Sequence, residues 1–176
     1  MSRPTVFVAL LRAVNVGGTG KLPMSELKRM CERAGFRAVR TYIASGNVVF
    51  ASEQSERMVK TTLEKKLRAY TDKPVGVLLR TAKAMEQVLA RNPFPDAPAS
   101  RTVAIFLDDP PARDALRNIV GKTDEELGLG KREIYVYYPG GMGASKLKIP
   151  AARAGTARNM NTLATLAAMA KEIEGK

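Results

Sequence analysis

Leu10-Leu11-Arg12-Ala13-Val14-Asn15-Val16-Gly17-Gly18-Thr19-Gly20-Lys21-Leu22-Pro23 carries the chain from an apolar strand, through a glycine-rich turn, into a helix. Upstream, Thr5-Val6-Phe7-Val8-Ala9-Leu10-Leu11 is apolar at both parities, the pattern of a strand covered on both faces. Downstream, Pro23 suits a first helical position; Met24, Leu27, Cys31 and Ala34 follow at helical spacing, and Gly35 stops the run. The glycines at 17, 18 and 20 bring backbone N–H groups together just before a helix N-terminus, which suits an anion. Cys31, on the apolar face of this helix, reads as a small core residue rather than a reactive thiol.

Working outward, residues 39–44 and 48–51 read as strands joined through Ser45-Gly46-Asn47, with Gly46-Asn47 as a two-residue hairpin turn. A helix over residues 55–70 places Met58, Leu63, Leu67 and Tyr70 on its apolar side, and residues 75–79 form a fourth strand. The order β-α-β-β-α-β is that of the ferredoxin-like split βαβ unit. From Thr81 a looser second pass begins. A helix carrying Met85, Val88 and Leu89 is broken by Asn92-Pro93-Phe94-Pro95, and a strand follows at 103–107. Asp108-Asp109-Pro110-Pro111 opens a helix, 122–130 forms an acidic turn or short helix, and 133–138 is a strand. A flexible loop at 139–143 leads to a short strand at 145–149. The last helix starts near Thr156, with Met160, Leu163, Ala167, Ala170 and Ile173 on one stripe. The expected fold class is therefore α+β, two ferredoxin-like (α/β-plait) halves packed together. They span residues 1–80 and 81–176, the second incomplete and its C-terminal helix closing back on the first.

The 176 residues, 45% hydrophobic and 26% charged, describe a globular chain. A net charge of +12 favours anionic partners. Without any histidine, His-based triads, the usual neutral-pH base and most zinc sites are excluded, and one cysteine excludes an internal disulfide. No metal or other cofactor is expected. No apolar run reaches the ~18 residues of a membrane span and no signal segment is visible, so a cytoplasmic location is the default expectation. Acidic residues are missing before Glu26, between Glu32 and Glu53, and between Glu133 and Glu172. These windows hold most of the polar motifs that attract attention.

Gly17-Gly18-Thr19-Gly20-Lys21 is not a Walker A loop. Asn15 stands where its first glycine belongs, and Leu22 replaces the hydroxyl residue that would hold magnesium. Lys146 likewise occupies the third glycine position of a dinucleotide fingerprint begun at Gly141. In Thr156-Ala157-Arg158-Asn159-Met160-Asn161-Thr162, Thr156 reads as an N-cap and Arg158, Asn159 and Asn161 as the polar first turn of the last helix. Arg158 there suits a phosphate or carboxylate, whereas hydrogen bonds to neighbouring loops are the structural alternative. Ser145-Lys146 is a weak nucleophile–base pair, because neighbours on a strand point to opposite faces.

Leu10-Leu11-Arg12 with Asn15-Val16-Gly17-Gly18, then Thr41-Tyr42-Ile43-Ala44-Ser45-Gly46-Asn47-Val48-Val49-Phe50, and the 156–162 stretch together resemble the domain-of-unknown-function family 1697. Asn92-Pro93-Phe94, Arg132-Glu133-Ile134-Tyr135 and Ser145-Lys146 resemble its weaker blocks. The resemblance implies a bacterial cytosolic α/β protein with ferredoxin-like halves and implies no activity. Ala13 stands where the family usually has glycine, and Met160 where it often has tryptophan.

Three functional readings follow. The first is binding of a small phosphorylated or carboxylated ligand by Arg12, Asn15, Gly17, Gly18, Lys21, Ser45, Asn47, Arg158, Asn159 and Asn161, donors without carboxylates. The second is nucleic-acid binding through a basic groove, although the spaced aromatics of an RNA-recognition sheet are missing. The third is a structural or regulatory interaction protein whose polar motifs pin loops. Whether the protein is an enzyme is left open by the residues.

Overall fold

The computed structural model describes residues 3–15 and 21–176. They form a mixed α+β structure with two four-stranded antiparallel sheets and, among the described residues, four α-helices. The chain divides into unit 1, Met1–Met85 with Thr165–Lys176, and unit 2, Glu86–Ala164.

In unit 1, β1 (Thr5–Leu11), α1 (Met24–Arg33), β2 (Arg37–Tyr42), β3 (Asn47–Ser52), α2 (Glu56–Thr71) and β4 (Val77–Thr81) follow in turn. The sheet order is β2-β3-β1-β4. Phe7, Ala9, Leu11, Val48, Phe50, Val77 and Leu79 share one core with Leu27, Met30 and Cys31 of α1 and Val59, Leu63 and Leu67 of α2. Phe36 stacks on Phe50 at 4.4 Å, a pairing that adds about 0.5–1.5 kcal/mol to the burial of the rings. The opposite face is closed too: Val6, Val8, Leu10, Val49, Leu78 and Arg80 are all buried. That is the physical content of apolar residues at both parities of β1. Beside this face, Ile173 lines a groove with Val6 and Ala51, and Glu172 pairs with Arg40 at 2.6 Å.

The structure corrects several boundaries. The hairpin turn is not Gly46-Asn47. Tyr42 pairs with Asn47, so the loop holds residues 43–46 and Asn47 opens β3. Val59 rather than Met58 faces the core from α2; Met58 and Tyr70 are exposed. Ser55 caps this helix, its hydroxyl accepting from the Met58 N–H.

Unit 2 holds β5 (Thr102–Phe106), β6 (Glu126–Leu129), β7 (Glu133–Tyr137) and β8 (Thr156–Asn159), in the order β6-β7-β5-β8. Numbered within each unit, both sheets run second, third, first, fourth. The crossovers differ. Residues 107–125 and 138–155 contain no α-helix, only turns, 3-10 turns at Met142–Ala144 and Pro150–Ala152, and a bridge between Val120 and Lys148. Leu116, Leu147 and Ile149 from these segments cover the face formed by Val103, Ile105, Ile134 and Val136. The helix expected after Asp108 is therefore a run of turns, in a stretch with two prolines and too few apolar residues to bury a helical stripe. The expected strand at 145–149 is reduced to that bridge, and the acidic turn at 122–130 contains β6.

Helix α3 (Ala82–Ala90) starts within unit 1 and ends within unit 2; α4 (Met160–Glu174) does the reverse. No helix of the described residues is long and apolar enough to cross a membrane.

Candidate functional site

One end of the first sheet is built by loops that hold one another through the backbone. The Leu11 N–H donates to the Gly46 carbonyl at 2.8 Å and the Arg12 N–H to the Gly76 carbonyl at 2.9 Å. Asn15 then clamps two further segments. Its amide donates to the carbonyls of Leu22 (2.9 Å) and Ala44 (2.8 Å), and its Oδ1 accepts the Leu22 N–H at 2.7 Å. Residues 11–15, 22, 43–46 and 76 thus meet at one edge.

The backbone there is strained. Of the five non-glycine residues with positive φ among those described, three are here: Ala13 (55°), Asn15 (56°) and Ile43 (49°). Asparagine tolerates this region, but alanine and isoleucine do not favour it, and such strain clusters at functional sites. A glycine in place of Ala13 would relieve it. At Gly46, φ is 90° and a Cβ would lie 2.6 Å from Val14 Cγ2 and 2.9 Å from Leu11 Cβ. Glycine is required there by conformation and by space.

The sequence-predicted site residues divide by unit. Arg12, Asn15, Lys21, Ser45 and Asn47 lie in unit 1; Arg158, Asn159 and Asn161 lie in unit 2. Gly17 and Gly18 lie outside the described residues. Arg12, Lys21 and Ser45 are exposed, Asn15 is committed to its clamp, and Asn47 is buried. The Asn47 amide donates to the Tyr42 carbonyl and to Ser45 Oγ, both at 2.9 Å, which ties the hairpin loop shut.

In unit 2 the 156–162 stretch is a strand followed by a helix, not a capped first turn. Thr156 belongs to β8, and the cap is Asn159, whose Oδ1 accepts the Thr162 N–H at 2.9 Å. Arg158 is 8% exposed and donates to Thr156 Oγ1 and to the Ala157 carbonyl. Burial pulls its guanidinium down to about 10. The same design recurs at the end of β4. Arg80, 1% exposed, donates to the preceding carbonyl of Leu79, and Thr81 Oγ1 accepts the Ala84 N–H three residues on. In each sheet a fourth strand ends in a buried arginine followed by a cap for the next helix. Arg158-Asn159 is thus a repeated strand-to-helix joint. Asn161 is exposed on the first turn of α4.

Ser145 does not rely on Lys146. Its hydroxyl donates to Glu125 Oε2, and Glu125 Oε1 accepts the N–H (2.7 Å) and hydroxyl (3.2 Å) of Thr123. The Ser145 hydroxyl, then the Thr123 N–H, hold the Glu125 carboxyl down to about 2. Glu125 lies before the acid-free stretch that holds Tyr138 and Ser145, and only folding brings it to Ser145. Two adjacent acids beside a threonine, Thr123-Asp124-Glu125, are a turn signal, and nothing in that signal points to residue 145.

Fold and loop architecture define a mixed α+β protein of two antiparallel sheets, and the known proteins agree. The family model described as "Protein of unknown function (DUF1697)" matches residues 5–135, and the chain belongs to that family. The structure of conserved bacterial protein SP0830 from Streptococcus pneumoniae is similar, with a TM-score of 0.79 and 26% identity over 95% of this chain and 99% of that one. No curated protein matches the chain at a significant level.

Proposed function

We propose that the protein binds a small anionic ligand, phosphorylated or carboxylated, at the clamped end of the first sheet, with Arg12 and Lys21 supplying the charge. The observation that carries this reading is the Asn15 clamp. It fixes Leu22, next to Lys21, and Ala44, next to Ser45, against the segment that bears Arg12. A braced backbone spares the ordering cost that a free loop would incur when an anion binds. The strained φ values of Ala13, Asn15 and Ile43 support the same place. Arg12 offers a planar fork for paired oxygens and Lys21 a mobile ammonium. Asn15, Ser45 and Asn47 frame the site, whereas Arg158 and Asn159 belong to their strand-to-helix joint.

The scaffold is a pair of ferredoxin-like halves. In favour stand the β-α-β-β-α-β order of unit 1 with sheet order β2-β3-β1-β4, and the recurrence of that strand order in unit 2. A cytoplasmic setting fits a chain with one cysteine, itself buried. Nucleic-acid binding by an open sheet is disfavoured, because both faces of β1 and β3 are buried and leave no platform for bases.

The test is thermal unfolding at low salt with inorganic phosphate, nucleotides, sugar phosphates, small carboxylates and short RNA and DNA. A ligand at ~100 times its dissociation constant adds about 2.7 kcal/mol, a rise of roughly 5–10 °C at this size. A rise produced by one small anion and lost in Arg12→Ala and Lys21→Ala supports the reading. A rise confined to oligonucleotides and erased by salt moves it to nucleic acid. No rise with any of them leaves the loops as architecture and ends the proposal.

A further inference from the structure

Unit 2 contains a cavity of about 210 Å³ lined by Thr123, Asp124, Glu125, Tyr138 and the loop residues Gly140, Gly141, Ala144 and Ser145. Its chemistry is opposite to that of the rest of the molecule. The lining carries two carboxylates and no lysine or arginine, in a chain of net charge +12. The acidic pair alone would be only a turn. Tyr138 makes it more.

Tyr138 is 6% exposed, its ring packed in the core with Val103, Ile134 and Val136. Its backbone is bonded at both groups, the N–H to the Arg101 carbonyl and the carbonyl to the Gly141 N–H. Its hydroxyl has no hydrogen-bond partner among the described residues, yet no buried side-chain oxygen is left unsatisfied. The hydroxyl of this nine-tenths-buried residue is therefore not sealed off; Tyr138 lines the cavity and its phenol feels the charge of Glu125. Tyr135, by contrast, closes its own hydroxyl onto the Val88 carbonyl at 2.6 Å. Burial, and then the charge of Glu125, raise the Tyr138 phenol, which stays neutral and offers both lone pairs and a proton.

Glu125 is held rigidly. Thr123 occupies its Oε1 and Ser145 bonds its Oε2, so the charge stays in place. Around it Gly140 and Gly141 present backbone without side chains, and a Cβ at either would meet nothing within 4 Å. A fixed carboxylate, a second acid, an aromatic ring with a free hydroxyl and an open backbone make an acceptor-rich cup that repels anions. A cup of this volume admits a group of a few heavy atoms.

We infer that the cavity between the 123–125 turn and the 138–145 loop is a binding site for a primary ammonium group, seated between the Tyr138 hydroxyl and the Asp124 and Glu125 carboxylates. Three N–H donors match three acceptor positions. The site is independent of the anion site proposed for unit 1 and takes the opposite charge. Two sources share this chemistry, a free small amine and a lysine side chain of a partner.

The experiment is a backbone amide NMR titration of the full chain with ethylammonium, with N-acetyl-lysine amide, and with propionate as the anionic control. Saturable shifts confined to residues 123–125 and 138–145, produced by an ammonium probe and not by propionate, are expected. Tyr138→Phe keeps the ring and Asp124→Asn keeps the turn, so both variants fold; each weakens binding at least tenfold. Preference for ethylammonium assigns a free amine, and preference for the lysine amide a partner side chain. No saturation with either probe, equal shifts with propionate, or unchanged affinity in both variants overturns the inference.

Discussion

Asn15→Ala removes three hydrogen bonds at once, at 2.7, 2.8 and 2.9 Å. A hydrogen bond contributes about 0.5–1.5 kcal/mol net, and the exposure of Asn15 argues for the low end, so the three together contribute roughly 1.5 kcal/mol. The substitution also places alanine at a φ of 56°, where a side chain with a Cβ costs about 1 kcal/mol more than a residue that tolerates the left-handed region. The expected loss is about 2–3 kcal/mol, a fall in Tm of roughly 5–10 °C. Asn15→Gly separates the two contributions: it loses the hydrogen bonds but relieves the backbone, and falls by only ~1.5 kcal/mol. Urea denaturation followed by far-ultraviolet circular dichroism measures both, since the chain has no tryptophan to report fluorescence. If both variants stay within ~0.5 kcal/mol of the parent, the clamp does not hold the loops, and the reasoning about a braced anion site fails with it.

Other consequences are as direct. Ala13→Gly relieves a φ of 55° and raises stability by about 0.5–1 kcal/mol in the same denaturation assay. Gly46→Ala, whose Cβ would lie 2.6 Å from Val14 Cγ2, lowers it by ~2 kcal/mol or more. Cys31 is buried and its thiol is pushed up to about 12, so a thiol reagent at pH 8 labels it only in denaturant, as the absorbance of the released chromophore shows. Glu125 titrates near 2 when folded, below its ordinary 4.5, so its stabilising contribution is whole above pH 4.5 and declines as pH falls toward 2. Glu125→Gln is therefore less stable than the parent at pH 7, and the gap narrows in acid melts.

The first half of the fold was legible because its signals are local. Apolar residues at both parities announced β1, and periodic Leu27 and Cys31 announced α1. The hairpin shifted because Tyr42 pairs with Asn47, and the side chain of Asn47, buried, closes the loop it was expected to lie within. The second half was harder for one reason: helices are replaced there by irregular chain that covers the sheet with scattered Leu116, Leu147 and Ile149, and such cover has no period to read. Site residues followed the same division. Arg12, Asn15 and Ser45 stand around one loop end and were visible in neighbouring motifs. The roles of Arg158 and Asn159 emerged only by comparison with Arg80 and Thr81, a likeness of place in the fold with little likeness in sequence. Tyr138 and Glu125 meet Ser145 through tertiary structure alone.

The division of α4 sets a timetable for synthesis. Unit 1 needs Thr165–Lys176, yet the chain emits Glu86–Ala164 before them. At 5–20 residues per second the ribosome takes roughly 4–16 s over that interval. Throughout it, the strip around Val6 and Ala51 awaits Ile173, and Arg40 awaits Glu172. The strip of the first sheet beside Val6 and Ala51 is therefore the last to gain its cover, and the final turns of the last helix act as its closing latch.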